Sequence, residues 1–149
     1  AELAKLLVTA GNIDTKNVYV HLALENCEDL SKNHWAAVYM VASNKYLPPV
    51  NKDGITYYYP ERLATREEVI VSIAKLKGIK KTDTSILNQF TDTNFMSNSS
   101  KEYIAAAINK GWINGYDDHT IRTDSAISRA EISALLCRAF EIVSDNKIY

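Results

Sequence analysis

Two arginines occupy the same position in two similar helix-start motifs of this 149-residue sequence. The motifs are T-R-E-E at 65–68 and S-R-A-E at 128–131, and each is followed by an apolar run at helical spacing. A hydroxyl residue followed three positions later by glutamate forms a capping box, in which the two side chains satisfy the first backbone amides of a helix. Arg66 and Arg129 take no part in such a cap. A cation at the first helical position faces the positive end of the helix dipole, so the repeated arginine indicates that it has a partner.

The partner of each arginine can be internal or external. An acidic side chain such as Asp92 or Asp117 would form a structural ion pair with it. An external anion would instead bind the arginine fork beside free backbone amides at the helix start. The sequence leaves both interpretations open.

The two motifs belong to a longer internal repeat. Arg66 and Arg129 lie 63 residues apart, and at this offset the segments 27–30 and 57–68 align with 90–93 and 120–131. Between them, the segment 34–49 aligns with 99–114 at an offset of 65 residues. Each copy contains an acidic turn, a helix, a loop with Gly or Pro, a capping box and a second helix. Glu2 precedes Glu68 by 66 residues, so the first helix aligns with the second helix of a copy.

The repeat predicts the domain organisation. We expect residues 1–11 to form the last helix of a truncated first unit, residues 27–78 a second unit and residues 90–143 a third. Residues 12–26 and 79–89 are the connectors.

The periodicity of apolar residues favours an all-α fold of tandem helix–loop–helix units. Helical spacing is present over 33–45, 66–76, 101–110 and 129–142, and residues 82–90 predict a short helical turn. Residues 54–60 are the best strand candidate, but the run is short and isolated, so we expect an extended loop there.

Composition and charge narrow the function classes. The net charge of −1 gives no reason to expect nucleic acid or an anionic membrane as a partner. No apolar run has the length of a membrane span. Cys27 and Cys137 have no neighbours at metal-ligand spacing, and Cys137 lies in an apolar pattern that predicts a buried thiol. No catalytic, metal or cofactor signature is present, which predicts a protein that is not an enzyme and has no metal or cofactor.

The last copy resembles the S-layer homology (SLH) module of bacterial cell-surface proteins. In that family an F-x-D turn precedes a helix, a G-Y-x-D-G-T-F loop and a T-R-A-E helix start. The matching residues here are Phe90, Asp92, Gly111, Gly115, Tyr116, Asp118, Thr120, Arg122, Arg129 and Glu131. The middle copy matches less fully, with Asp29, Trp35, Gly54, Thr65, Arg66 and Glu68.

The resemblance implies an anchoring function outside the cell, at the bacterial cell wall or S-layer. SLH modules usually occur in threes, with their T-R-A-E helices in a central three-helix bundle of pseudo-threefold character. They bind a cell-wall polysaccharide, commonly a pyruvylated secondary polymer linked to peptidoglycan, and attach other domains of the same surface protein to it.

The family's ligand lies in grooves between modules. By resemblance, Arg66 and Arg129 are expected to bind a carboxylate, Gly115, Tyr116 and Asp118 to form the groove loop, and Trp35 to supply an aromatic face. The loop departs from the family pattern because His119 replaces a glycine. The alternative is a structural or protein-interaction module that has lost glycan binding.

Overall fold

The computed structural model describes residues 1–80 and 82–141, and this part of the chain is helix-rich. Its six α-helices are α1 (Glu2–Ala10), α2 (Val20–Ala23), α3 (Ala37–Ala42), α4 (Arg66–Leu76), α5 (Lys101–Asn109) and α6 (Arg129–Ala139). Two short 3₁₀ helices cover Ser85–Gln89 and Thr93–Phe95. The predictions of α4, α5 and the short turn within 82–90 are confirmed, whereas α3 is shorter than the predicted 33–45. Helix α6 ends at Ala139, three residues before the predicted end at 142.

The prediction of a purely α-helical fold is wrong at one place, because residues 50–57 form a β-hairpin. Strand β1 (Val50–Lys52) pairs antiparallel with β2 (Ile55–Tyr57), with Val50 opposite Tyr57. The loop between them is Asp53-Gly54, whose φ angles are 51° and 83°. A two-residue hairpin turn of type I′ needs positive φ at both positions, and Asp-Gly is a preferred pair for it.

The chain divides into two compact units, residues 1–64 and the residues from Thr65 onward. In the first unit α3 packs against α1 and α2. Its buried core contains Ala4, Leu24, Leu30, Ala36, Ala37, Met40 and Tyr58. In the second unit α4 packs against α5 and α6, and α5 contacts the 3₁₀ helix Ser85–Gln89.

The boundary between the units falls inside the second predicted domain, 27–78. Because α1 aligns with α4 and α6 in the repeat, each compact unit joins the last helix of one copy to the first helix of the next. The predicted three-helix bundle of α1, α4 and α6 stays a prediction.

An aspartate holds the loop of the second unit through two consecutive backbone amides. The amide of Ile121 lies 3.0 Å from Asp92 Oδ1 and the amide of Arg122 lies 2.7 Å from Asp92 Oδ2. Arg122 has a φ of 56°, a left-handed conformation that side chains disfavour. Successive amides in such a turn form a concave anion site, and here the protein's own carboxylate fills it.

The same contact occurs one repeat earlier in the first unit. Asp29 accepts hydrogen bonds from the amides of Tyr58 at 2.9 Å and Tyr59 at 2.6 Å, and Tyr59 has a φ of 49°. The acidic turn that opens each copy therefore has the same structural task in both units.

The prediction that the Cys137 thiol is buried is wrong, because Cys137 is exposed. Helix α6 buries Ile132, Leu135, Leu136 and Ala139, which lie at spacings of three, four and seven along the chain. These spacings define one helix face, and Cys137 lies outside it.

Replacing Asp92 with alanine should destabilise the second unit by about 1–3 kcal/mol, because the buried amide of Ile121 loses its acceptor. Urea denaturation would measure the free energy of unfolding. Asp124→Ala, at an exposed position of the same unit, is the matched control and should change it little. Equal values for the two variants would contradict the structural task assigned to Asp92.

Candidate ligand-binding site

The N-terminus of α4 positions Arg66 at the first helical residue. The capping box is formed as the sequence predicts, with the hydroxyl of Thr65 accepting from the third helical amide. The amide of Arg66 donates to Ser125 O at 2.9 Å and that of Glu67 to Thr123 O at 2.8 Å. The first three amides of α4 are therefore satisfied within the protein. The amides beside this arginine are therefore occupied, so an anion would meet the side chain alone.

The Arg66 side chain packs between a carboxylate and an aromatic ring. Its Nη1 lies 3.4 Å from Glu131 Oε1, and its Cζ lies 5.3 Å from the centre of the Tyr116 ring. The side chain is only 12% exposed, and its Nε is buried without a hydrogen-bond partner. The internal partner of Arg66 is thus Glu131, and not Asp92 or Asp117 as the sequence suggested.

Glu131 serves both its own helix and the arginine. Its Oε2 accepts from the amide of Ser128 at 3.0 Å and from the hydroxyl of Ser128 at 2.7 Å. Its Oε1 lies 3.4 Å from both Arg66 Nη1 and the Tyr116 hydroxyl. The bonds from Ser128, followed by the charge of Arg66, lower the pKa of the Glu131 carboxyl.

The loop that carries Tyr116 is fixed by a second ion pair. Arg122 Cζ lies 4.0 Å from the centre of the Tyr116 ring, and Arg122 Nη2 lies 3.0 Å from Asp118 Oδ2. Asp118 Oδ1 accepts from the amide and the hydroxyl of Thr120 at 3.2 and 2.6 Å. The bonds from Thr120, followed by that from Arg122, lower the pKa of Asp118. Asp118 in turn raises the pKa of Arg122.

These five residues form what we call the Arg66 cluster: Arg66, Tyr116, Asp118, Arg122 and Glu131. Three of them were predicted as ligand-binding residues from the sequence. Glu131 was assigned to the helix cap alone, and Arg122 was matched to the family without a role. The alignment of both residues with family motifs was the signal that could have drawn attention to them.

Comparison with known proteins identifies the segment that supplies most of this cluster. Residues 89–132 match the family model of the S-layer homology domain. The chain contains an S-layer homology domain. The chain is also 32% identical over 146 residues to the cellulosome-anchoring protein of Acetivibrio thermocellus. That alignment covers 93% of this chain and 30% of the relative, so the chain spans less than a third of the relative's length. No solved structure matches.

The S-layer homology domain holds four of the six predicted site residues: Gly115, Tyr116, Asp118 and Arg129. Arg66 precedes the matched segment but contacts Tyr116 and Glu131 within it. Arg129 is exposed at the first position of α6, behind the N-cap Ser128.

Gly115 has a packing role in the S-layer homology domain. A Cβ at this position would overlap Cε1 of Phe90 and lie 3.0 Å from Thr120 O. Phe90 opens the F-x-D turn that carries Asp92. The glycine therefore lets the opening turn of the domain pack against the Tyr116 loop.

Trp35 belongs to the first compact unit, where it lies beside a lysine and a tyrosine. The ring is 49% exposed, its centre is 5.8 Å from Lys5 Nζ, and the Tyr39 ring lies 6.4 Å away. Lys5 Nζ is also 5.9 Å from the centre of the Tyr39 ring. This surface presents two aromatic rings and one cation.

The histidines have local contacts. His34 Nδ1 accepts from the amide of Ala36 at 3.2 Å, and His119 occupies a left-handed position with a φ of 58° where the family has glycine. Within 1–80 and 82–141, His, Cys, Asp and Glu side chains do not gather in a group suited to a metal ion. None of the helices described in those ranges has the length and apolar character needed to cross a bilayer.

Gly115→Ala should destabilise the second unit by about 1–3 kcal/mol, because the added methyl group displaces Phe90. The combination with Phe90→Ala should cost less than the sum of the two single changes, since the smaller side chain removes the overlap. Urea denaturation of the two single variants and the double variant measures this coupling. Strict additivity would show that Phe90 is not the neighbour that excludes a side chain at this position.

Acidification should weaken the second unit in part through Glu131. Because its pKa is lower in the folded protein, Glu131 contributes stability above the ordinary value of 4.5 and loses it as the pH falls through the lowered value. The Glu131→Gln variant should therefore show a smaller fall in unfolding free energy across this pH range. Asp124→Asn, at an exposed position, is the control. An unchanged acid response of Glu131→Gln would contradict the coupling of Glu131 to Ser128 and Arg66.

Proposed function

We propose that the chain is a non-enzymatic anchoring module that attaches a protein to the bacterial cell wall by binding an anionic polysaccharide. The S-layer homology domain at 89–132 and the cellulosome-anchoring relative support an anchoring function. The proposed location is extracellular. The proposed ligand is a pyruvylated secondary cell-wall polymer, which presents carboxylates along a sugar chain.

The observation that carries this proposal is the meeting of Arg66 with Tyr116. The arginine comes from the last helix of one copy and the tyrosine from the loop of the next, so they form a site between copies within one compact unit. A guanidinium can donate five hydrogen bonds and matches a carboxylate in bidentate geometry. The packing of Arg66 against the ring fixes its orientation before a ligand arrives.

The ligand carboxylate would take the place of one oxygen of Glu131. The Arg66–Glu131 distance of 3.4 Å is long for a charge-assisted hydrogen bond, so little is lost when it breaks. Glu131 would remain bonded to Ser128 through its other oxygen. The helix cap thus keeps its geometry while the arginine changes partner.

The remaining predicted residues complete the proposed mode of binding. Gly115 and Asp118 hold the shape of the Tyr116 loop, and Arg129 is proposed as the carboxylate-binding residue of a second, equivalent site. The exposed ring of Trp35 offers a flat apolar face for the C–H surface of a sugar, with Lys5 beside it for a negatively charged substituent.

We also propose that residues 27–78 and 90–143 are two S-layer homology modules and that 1–11 is the last helix of a preceding one. Two features recur in support of this: Asp29 and Asp92 each accept hydrogen bonds from two consecutive loop amides, and capping boxes start α4 and α6.

The alternative function is structural, or a protein interaction that uses the same fold without a glycan. Two observations favour it. Arg66 already has an internal ion pair, and the neighbouring amides already donate to the carbonyls of Thr123 and Ser125. Other domains of the same surface protein would then be the partners.

A binding assay with purified cell-wall sacculi separates the two functions. The chain should sediment with intact sacculi and fail to do so after chemical removal of the polysaccharide. Binding that survives the removal would reject the polysaccharide as ligand, and absence of binding to intact sacculi would favour the structural alternative.

Two arginine variants test the proposed contacts. Arg66→Lys keeps the charge but loses the fork, and Arg129→Ala removes an exposed side chain; each should weaken binding about tenfold, as expected for one charge-assisted contact. Arg138→Ala, at an exposed position in the last turn of α6, is the control. Unchanged affinity in both variants would exclude the arginines as the carboxylate-binding groups.

A further inference from the structure

An open cleft lies at the end of α4 opposite to Arg66. It has a volume of about 500 Å³ and is lined by Lys77, Gly78, Ile79, Lys80, Thr82, Ala106, Asn109 and Lys110. The eleven residues of α4 separate it from Arg66 by about 16 Å along the helix axis. The cleft is therefore not part of the Arg66 cluster.

Helices α4 and α5 both end at this cleft, and the negative poles of their dipoles offset part of the positive charge of its lysines. Gly78 and Gly111 have φ angles of 64° and 70° and end α4 and α5 in the left-handed conformation. The amide of Ile79 returns to Ala74 O, and that of Trp112 returns to Ala107 O, each at 3.0 Å. Lysines near such ends offset the negative pole of a helix dipole.

The charge of the lysines exceeds the opposite charge of the two helix ends. Each helix end carries about −0.5 of an elementary charge, so the two ends contribute about −1. Among the described residues that line the cleft, three are lysines and none is Asp or Glu. An excess of about two positive charges lies in a concave site on a chain whose net charge is −1.

The cleft also has donors and an apolar wall suited to a small anionic group. Lys77, Lys80 and Lys110 are all exposed, and Lys77 Nζ lies 4.7 Å from the centre of the Phe140 ring. Thr82 and Asn109 add polar groups to the lining, and buried Ala106 forms part of its wall.

We propose that this cleft binds a dianionic oxyanion of the phosphate monoester type. Lys80 and Lys110 would supply the charge, and Asn109 and Thr82 would supply hydrogen bonds. The site is separate from the proposed polysaccharide site, so either can fail without the other.

Inorganic phosphate is the probe, added at pH 8 to the full chain at constant ionic strength. The amide chemical shifts of Gly78, Ile79 and Asn109 should change with phosphate concentration and reach saturation. A parallel titration with malonate, a dicarboxylate, shows whether the site prefers phosphate. Lys110→Gln should weaken phosphate binding about tenfold. Lys101→Gln, at the opposite end of the same helix α5, is the matched control and should leave binding unchanged.

Saturable shift changes support the proposal if the phosphate affinity falls in Lys110→Gln and not in Lys101→Gln. Tighter binding of malonate than of phosphate would contradict the proposed class of ligand. Shifts that sodium chloride reproduces at the same ionic strength, or that the two variants alter equally, would overturn the site itself. Phosphate binding at Arg66 would instead move the amides of Tyr116 and Glu131, so the two sites are distinguished in one titration.

Discussion

The second compact unit depends on the carboxylate of Asp92, which holds two consecutive amides of the loop that follows α5. This contact stabilises the left-handed conformation of Arg122 and so places its side chain over Tyr116. The next residues of the loop, Thr123 and Ser125, then offer their carbonyls to the first amides of α4. One carboxylate thus organises both the aromatic side of the candidate site and the helix start that carries its arginine.

The arginine at the start of α4 is placed against the local electrostatic preference, and its neighbours compensate for this. Glu131 offers an opposite charge, and Tyr116 offers the negative face of its ring. A pair in which one partner is 45% exposed contributes about 0–1 kcal/mol. Such a pair keeps the arginine in position but opposes its capture by an external carboxylate only weakly. Internal pairing and the proposed external binding would therefore be two states of one geometry.

Local signals made much of the fold predictable from the sequence. The start of α4 is set by Thr65 and its glutamate, which act within one helical turn, and the predicted bounds are the observed ones. The hairpin was also encoded locally, in Asp53-Gly54, but the residues around it do not alternate in polarity as a strand does. The partner of Arg66 could not be predicted in this way, because Glu131 lies 65 residues along the chain and meets it only through the packing of α4 against α6. The exposure of Cys137 depends similarly on which face of α6 is covered.

The boundary between Ala64 and Thr65 has a consequence for where such a chain can be cut. The segment that recurs in the sequence and the segment that packs together are out of phase, since the compact unit begins at the capping box and ends with the helix of the following copy. The second unit contains both helices of the third copy, α5 and α6, and in addition α4, the last helix of the second copy. A gene fragment cut at the limits of the repeat separates helices that are packed together, whereas one cut before Thr65 keeps them in one piece.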